Sequence, residues 1–223
     1  MPSTPKGNGP QLRNKHGAFK ARVRRELVPV TAADDVFDVF AGDGLMFAEV
    51  WRGAGRGATM DLEPACVARA LRERPGWSVL RGNVERALRA GVWAGRPFSV
   101  VDVDCFGSPW RFVAGFFQHE RALADPLRLV LTDNYMKNRN LSHEDKALGY
   151  RKPDTVEGYL KRVDDLMARL VGGRGWRWER GLYCQDACVQ HVLTLTRQSP
   201  KSEGALPDRT PALPERDLRD GAV

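Results

Sequence analysis

The sequence predicts a doubly wound α/β fold, with a Rossmann-like, mostly parallel sheet that ends in a C-terminal antiparallel hairpin. Strand-like and helix-like segments alternate five times along the chain. The strand-like segments are apolar throughout, as they are in parallel sheets that helices cover on both faces. The last two strand-like segments follow each other without a helix between them, which is typical of an antiparallel pair.

Local patterns place the elements along the chain. Residues 19–27 predict a short basic helix that ends before Pro29, and residues 36–41 predict a buried strand. Helical spacing of apolar residues predicts each helix, and apolar runs bounded by turn residues predict each strand. The remaining predicted elements are helix 45–51, a glycine-rich loop 52–57, strand 58–62, helix 64–74, strand 77–82, helix 84–91, strand 98–104, helix 110–123, strand 127–133, a long polar connection 134–154, helix 155–171, and hairpin strands 176–184 and 188–197.

Length and composition bound the domain organisation. The chain has 223 residues, of which 42% are hydrophobic and 28% charged, which suits one globular core. We expect a basic N-terminal arm over residues 1–30, one folded domain over 31–197 and a flexible tail over 198–223. The sequence contains neither a long apolar run nor a secretory signal, and four cysteines are too few for a disulfide scaffold. We therefore expect a cytoplasmic protein with reduced thiols and no membrane partner.

Positive charge is concentrated at the N-terminus. Residues 1–30 hold seven basic residues against Glu26, which is +6 of the chain's net charge of +7. A basic segment on a nearly neutral body favours a polyanionic partner, with nucleic acid as the first candidate. On charge alone, a solvated basic terminus that binds nothing in particular is an equal alternative.

The turn after the first predicted strand is the first candidate ligand site. It carries Asp38, Phe40, Gly42 and Gly44, and the glycines allow the backbone to turn tightly and approach a ligand. A nicotinamide-dinucleotide site would need a third glycine where Phe47 stands. The alternative to a ligand site is a plain strand–helix turn.

The next two strand ends carry groups that suit a nucleoside. Asp61 follows Gly44 by 17 residues, at a position where a carboxylate can accept hydrogen bonds from both ribose hydroxyls. Asn83 can bond an adenine edge, and the apolar Val84 can pack on the ring. The alternatives are an acidic helix start near Asp61 and a turn asparagine at Asn83.

Two of these segments resemble known motifs. The D-x-F-x-G-x-G pattern from Asp38 to Gly44 resembles the first motif of class I S-adenosylmethionine (SAM) methyltransferases. The segment from Asp104 to Pro109, Asp-Cys-Phe-Gly-Ser-Pro, is similar to the Asp-Pro-Phe-Gly-Ser-Pro motif of the tRNA guanine-N2 dimethyltransferases, and Thr132-Asp133 also resembles that family. The Asp104 segment is related in kind to the Asp-Pro-Pro-Tyr motif of DNA amino-methyltransferases. The resemblance covers roughly residues 30–135, with Cys105 in place of the family's proline.

The resemblance implies the class I methyltransferase fold, SAM as cofactor and an exocyclic base amine as methyl acceptor, with RNA favoured over DNA and tRNA guanine N2 the first candidate. A carboxylate that accepts a proton of such an amine helps to localise its lone pair, and an aromatic ring can stack on the base. The implied catalytic residues are Asp104 and Phe106. The implied cofactor-binding residues are Asp38, Phe40, Gly42, Gly44, Asp61, Asn83 and Val84. The motif also implies Ser108 and Pro109 as substrate-binding residues. On charge, we expect the basic arm and the 134–154 connection to bind the substrate through phosphate contacts from Lys15, Lys20, Arg22, Arg24, Lys137 and Arg139.

Several alternatives stay open at the level of sequence. Asp102 competes with Asp104 for the catalytic role. Cys105 is either a thiol nucleophile that attacks a pyrimidine carbon or a small buried thiol. Cys184, Cys188 and His191 have the spacing of zinc ligands but lack an evident fourth, so we expect no metal. The rival functions are a DNA amino-methyltransferase and a non-catalytic nucleic-acid-binding module on the same fold; the sequence leaves the oligomeric state open.

Overall fold

A single seven-stranded sheet organises the chain. The computed structural model describes residues 16–105, 107–119, 122–133, 156–185 and 188–198. The strands are β1 (Asp35–Asp38), β2 (Arg56–Asp61), β3 (Ser78–Arg81), β4 (Val100–Val103), β5 (Leu127–Asp133), β6 (Trp176–Gln185) and β7 (Cys188–Arg197). The helices are α1 (Gly17–Leu27), α2 (Leu45–Glu49), α3 (Pro64–Glu73), α4 (Val84–Arg89), α5 (Trp110–Phe117) and α6 (Val156–Val171).

The strand order confirms the predicted topology. The strands lie in the order β3-β2-β1-β4-β5-β7-β6. β1 to β5 are parallel, β7 is antiparallel to β5, and β6 is antiparallel to β7. The chain changes direction across the sheet between β1 and β4, so the carboxyl ends of these two strands form the topological switch point where open α/β sheets bind ligands.

Some element boundaries differ from those that the sequence predicts. The helix expected over 110–123 ends at Phe117. The glycine-rich segment 52–57 is only partly a loop, since β2 already begins at Arg56. Gly57 is required there for packing: a Cβ at this position would lie 2.4 Å from the Trp77 ring.

Each face of the sheet carries its own apolar core, because successive strand residues point to opposite faces. On one face, Phe37, Val101 and Leu129 pack with residues of α4, α5 and α6. On the other, Val36 and Val100 pack with residues of α1 and α2 and with Trp51, which follows α2.

Helix α1 packs as part of the folded domain. Phe19 and Val23 pack on Cys188 of β7, and Ala21 joins the core on the α1 face of the sheet. The short helix that the sequence predicts here is confirmed. Residues from Gly17 onward thus belong to the domain, whereas the sequence placed them in a separate arm.

A buried ion pair joins α1 to the centre of the sheet. Arg24 and Asp102 are both fully buried, and the guanidinium donates from Nε and Nη2 to the two carboxylate oxygens at 2.8 and 2.6 Å. Nη1 donates to the Lys20 carbonyl and to Gln190, and Nη2 also donates to Thr132. All five N–H groups of Arg24 therefore have an acceptor.

The position of Arg24 corrects its assignment as a phosphate contact. The side chain has no exposed surface, and its guanidinium is fully occupied by protein acceptors. Burial alone would lower the pKa of Arg24, but the charge and hydrogen bonds of Asp102, together with the charges of Asp104 and Asp38, outweigh burial and hold the pKa above the ordinary value.

Replacement of Arg24 by methionine is expected to lower the free energy of unfolding by about 3–5 kcal/mol, because Asp102 would keep a buried charge without its partner. The matched control is Arg25→Met, which breaks only the exposed Arg25–Glu49 pair and should cost about 0–1 kcal/mol. Urea denaturation measures both values, and equal losses would contradict a central role for the buried pair.

Candidate active site at the carboxyl ends of the strands

The glycine turn after β1 is held by a side chain from β2. Gly42 and Gly44 have positive φ values of 51° and 83°, which side-chain-bearing residues rarely adopt. The Gly42 amide donates to Asp61 Oδ2 at 3.0 Å, and the Glu63 amide donates to Asp61 Oδ1 at 2.9 Å. Asp61 therefore fixes the turn, and its carboxylate still has lone pairs available for other donors.

Asp38 acts on the same turn from beneath it. Its side chain is buried and accepts from Arg74 Nη1 at 2.6 Å, while Arg74 Nη2 donates to the carbonyl of Ala41 at 3.1 Å. Burial raises the pKa of Asp38 to about 7, although Arg74 opposes the shift. Because the carboxylate lies below the surface, Asp38 supports the turn through Arg74, which corrects its prediction as a direct cofactor contact.

Three other predicted cofactor residues, Asn83, Val84 and Phe40, differ in how far they are exposed. Asn83 is exposed and caps α4, accepting from the Arg86 amide at 3.0 Å. Val84 is only 5% exposed and belongs to the core, so it offers little surface to a ring. Phe40 is half-buried and contacts the Phe112 ring edge-on, with the ring centroids 5.0 Å apart.

The end of β4 separates the two competing acids. Asp102 is fully buried and accepts from Arg24 and from Trp51 Nε1, the latter at 3.0 Å. Asp104 retains 17% of its side-chain surface and accepts from Lys20 Nζ at 2.6 Å. The geometry thus assigns a structural role to Asp102 and leaves Asp104 as the acid that a ligand can reach.

Asp104 is an ionised carboxylate. Burial would raise its pKa, but the charges of Arg24 and Lys20, together with hydrogen bonds from Lys20 and Thr132, outweigh burial and hold the pKa below the ordinary value. A carboxylate with a lowered pKa is a good hydrogen-bond acceptor and a weak base. This combination suits a group that orients an amine.

The thiol of Cys105 is buried and protonated. Burial raises its pKa, and the nearby charges of Asp104 and Asp133 raise it further. A thiolate is the reactive form of cysteine, so these surroundings disfavour a nucleophilic role.

The two predicted substrate residues of this segment are Ser108 and Pro109. The Oγ atom of Ser108 is buried and has no hydrogen-bond partner among the described residues. Pro109 is buried at the start of α5, which corrects its prediction as a substrate contact.

A second polar cluster lies beside this site, and sequence reasoning missed it. Asp133 at the end of β5 accepts from Trp110 Nε1 at 3.0 Å and from the Tyr159 hydroxyl at 2.8 Å. The same hydroxyl lies 2.5 Å from His191 Nε2. The only signal in the sequence was Thr132-Asp133, since nothing local links Tyr159 or His191 to the site.

His191 is a neutral core residue. Burial lowers its pKa to about 3, with a smaller effect from the charge of Arg180. The Nε2 atom of His191 bonds Tyr159 and is therefore not available as a zinc ligand beside Cys184 and Cys188. The described residues contain no group of three or more His, Cys, Asp or Glu side chains placed to hold a metal. All four cysteines lie in the described ranges, and none forms a disulfide.

The predicted phosphate contacts fall into four groups. Arg22 is exposed on α1, Lys20 is bound to Asp104, and Arg24 is buried. Lys15, Lys137, Arg139 and the predicted catalytic Phe106 lie outside the described residues.

Comparison with known proteins shows similarity in structure but not in sequence. No protein-family model and no curated protein matches the chain. The solved structure of Trm1 from Pyrococcus horikoshii in complex with SAM is similar over 82% of this chain, with a TM-score of 0.60 and 14% sequence identity. This chain spans 55% of that protein. Trm5b from Pyrococcus abyssi (TM-score 0.51, 12% identity) is similar over 82% of this chain and 48% of its own, and yhhF from Escherichia coli (TM-score 0.51, 13% identity) over 89% and 88%.

The chain has the class I methyltransferase fold. The strand order, the antiparallel β7 and the glycine turn after β1 confirm the fold that the motif resemblance implies. At these identities the likeness establishes the fold alone. Within the described ranges, no helix is long and apolar enough to cross a membrane.

The buried histidine predicts a measurable dependence of stability on pH. Below about pH 6.5 the unfolded chain binds a proton at His191 that the folded chain does not, so stability is lost as the pH falls toward 3. Between about pH 7 and pH 5, His191→Gln is expected to lose about 2 kcal/mol less unfolding free energy than the wild type. Urea denaturation at the two pH values measures the difference, and parallel losses would contradict a neutral His191.

Proposed function

We propose that this chain is a SAM-dependent methyltransferase that acts on an exocyclic amine of a nucleic-acid base. RNA is the favoured substrate, and guanine N2 in tRNA is the first candidate. The observation that carries the proposal is the ionised, ligand-accessible carboxylate of Asp104 at the switch point, one strand away from the glycine turn. The Asp104–Pro109 motif and the likeness to the Trm1–SAM complex support it.

The residues at the strand ends fit SAM. The Gly42–Gly44 turn would allow a close backbone approach, Asp61 would offer acceptors to ribose hydroxyls, and the exposed Asn83 would bond an adenine edge. A Cβ added at Gly82, next to Asn83, would meet no atom within 4 Å, so this side of the site is open. Bound SAM would supply a methyl group on a cationic sulfonium, which suits a site edged with carboxylates.

The proposed chemistry is mainly positioning. An exocyclic amine is a poor nucleophile because its lone pair is delocalised into the base. Asp104, accepting a hydrogen bond from one N–H of the amine, would turn the lone pair toward the methyl group. A weak base suffices for this task, because an amine that gains a methyl cation becomes strongly acidic and releases its proton readily. Most of the rate acceleration would then come from orientation.

The decisive experiment is incubation of the protein with labelled SAM and separate pools of tRNA, rRNA and DNA, followed by nucleoside analysis. We expect label in N2-methylated guanosine of tRNA. Label in an amino-methylated DNA base would favour the DNA alternative. If calorimetry shows SAM binding but no pool is methylated, the alternative of a non-catalytic binding module would be favoured. Absence of SAM binding would overturn the proposal.

Asp104→Asn is expected to reduce methyl transfer by about a hundredfold, since it replaces an acceptor oxygen with a donor and misplaces the amine. SAM affinity should stay near that of the wild type, because Asp104 faces the substrate. The contrasting variant is Asp61→Ala, which should weaken SAM binding by about 1–3 kcal/mol. Single-turnover rates at saturating SAM and calorimetry separate the two effects. Near wild-type transfer by Asp104→Asn would remove Asp104 from the mechanism.

A further inference from the structure

Helix α1 presents two cations to two acids at the carboxyl end of β4. Lys20 and Arg24 are four residues apart, so they lie on the same face of the helix, one turn from each other. Asp102 lies on β4, and Asp104 comes directly after Val103, the last residue of the strand. Arg24 pairs with Asp102 in the interior, and Lys20 pairs with Asp104 at the rim, where each side chain keeps 17% of its surface.

We propose that Lys20 is a positioning residue for methyl transfer: its ammonium group holds one oxygen of the ionised Asp104 carboxylate and leaves the other oxygen for the substrate amine. This inference rests on the proposed function. It replaces the prediction, made from charge alone, that Lys20 contacts a phosphate.

The geometry favours this role over phosphate binding. Lys20 Nζ lies 2.6 Å from Asp104 Oδ1, which is the distance of a strong charge-assisted hydrogen bond. A phosphate that used one of the other two N–H donors of this ammonium would lie in a largely buried position beside the Asp104 carboxylate, whose negative charge repels it. Arg22, two residues along the helix, is exposed and suits a phosphate contact better.

The charges around Asp104 make the contribution of Lys20 large. Two cations face it from α1, Lys20 and Arg24, and the Thr132 hydroxyl bonds it from β5. The other titratable groups that interact with it are Asp38 on β1, Cys105 beside it in sequence, and Cys188 on β7. Asp102 lies two residues away, but Arg24 neutralises its charge. Without Lys20, Arg24 would be the one cation left to stabilise the negative charge of the largely buried Asp104 carboxylate, and Arg24 is already paired with Asp102.

The first test needs no substrate. Carboxylate NMR titration would follow Asp104 in the wild type, Lys20→Met, Lys20→Arg and the control Arg25→Met, whose side chain is exposed and paired with Glu49. We expect the Asp104 pKa to rise by about one unit or more in Lys20→Met, the scale of losing a close opposite charge. It should remain near the wild-type value in Lys20→Arg and Arg25→Met. An unchanged pKa in a folded Lys20→Met protein would overturn the proposal.

The second test separates positioning from phosphate binding. With the nucleic acid that the wild type methylates, Lys20→Met is expected to lower kcat about tenfold or more and to move the acid limb of the pH profile to higher pH. KM for the nucleic acid and its salt dependence should stay unchanged, and Lys20→Arg should restore much of kcat. A raised KM with a shallower salt slope and an unchanged kcat would instead identify a phosphate contact. Loss of folding stability with unchanged kcat would identify a purely structural pair.

The two proposals fail in different ways. If the wild type binds no SAM or transfers no methyl group to any nucleic acid, the proposed function fails, while the titration still shows whether Lys20 sets the charge of Asp104. If the wild type is active and Lys20→Met retains its kcat and pH profile, only the inference about Lys20 fails.

Discussion

The buried ion pair between Arg24 and Asp102 is the interaction on which this structure most depends. Removing two charges from water is costly, and their attraction offsets that cost only when the remaining donors are also satisfied. Asp102, Gln190 and Thr132 satisfy the guanidinium from β4, β7 and β5. One side chain of α1 therefore ties together three neighbouring strands. An apolar residue at position 24 could pack against the sheet, but without directional hydrogen bonds it would not fix the position of α1 relative to the three strands.

The same pairing chemistry recurs along this face of the sheet with graded exposure. Arg74–Asp38 and Arg24–Asp102 are buried, and Lys20–Asp104 is partly open. The buried pairs hold backbone: Arg74 bonds the carbonyl of Ala41 in the glycine turn, and Arg24 bonds the carbonyl of Lys20. Only the third pair has surface left for a ligand. Exposure, rather than residue type, therefore separates the acids that build the site from the acid that the proposed chemistry uses.

The sequence was informative where the physical signal is local. Apolar strands and turn glycines predicted the sheet. The acid that ends β2, Asp61, was singled out as a cofactor residue; it bonds Gly42 of the turn, and its role toward the cofactor stays a prediction. Reasoning from sequence failed where the cause lies far along the chain. Arg24 looked like a surface charge because its partner Asp102 is 78 residues away. Gly57 looked like a loop residue until Trp77 was placed against it. Likewise, nothing in the sequence linked His191 to Tyr159, which lies 32 residues earlier and is its partner in the structure.

The charges around β4 also bear on the choice between two kinds of methyl transfer. Attack on a pyrimidine carbon needs a thiolate, and the Cys105 thiol is buried between Asp104 and Asp133, whose charges raise its pKa further. Orientation of an amine needs an ionised carboxylate, and Lys20 and Arg24 hold Asp104 in that form against the effect of burial. A proton that left Cys105 would create an anion beside two carboxylates, whereas a proton that leaves Asp104 creates an anion beside two cations. The electrostatics of adjacent residues thus oppose the thiol mechanism and support the carboxylate one.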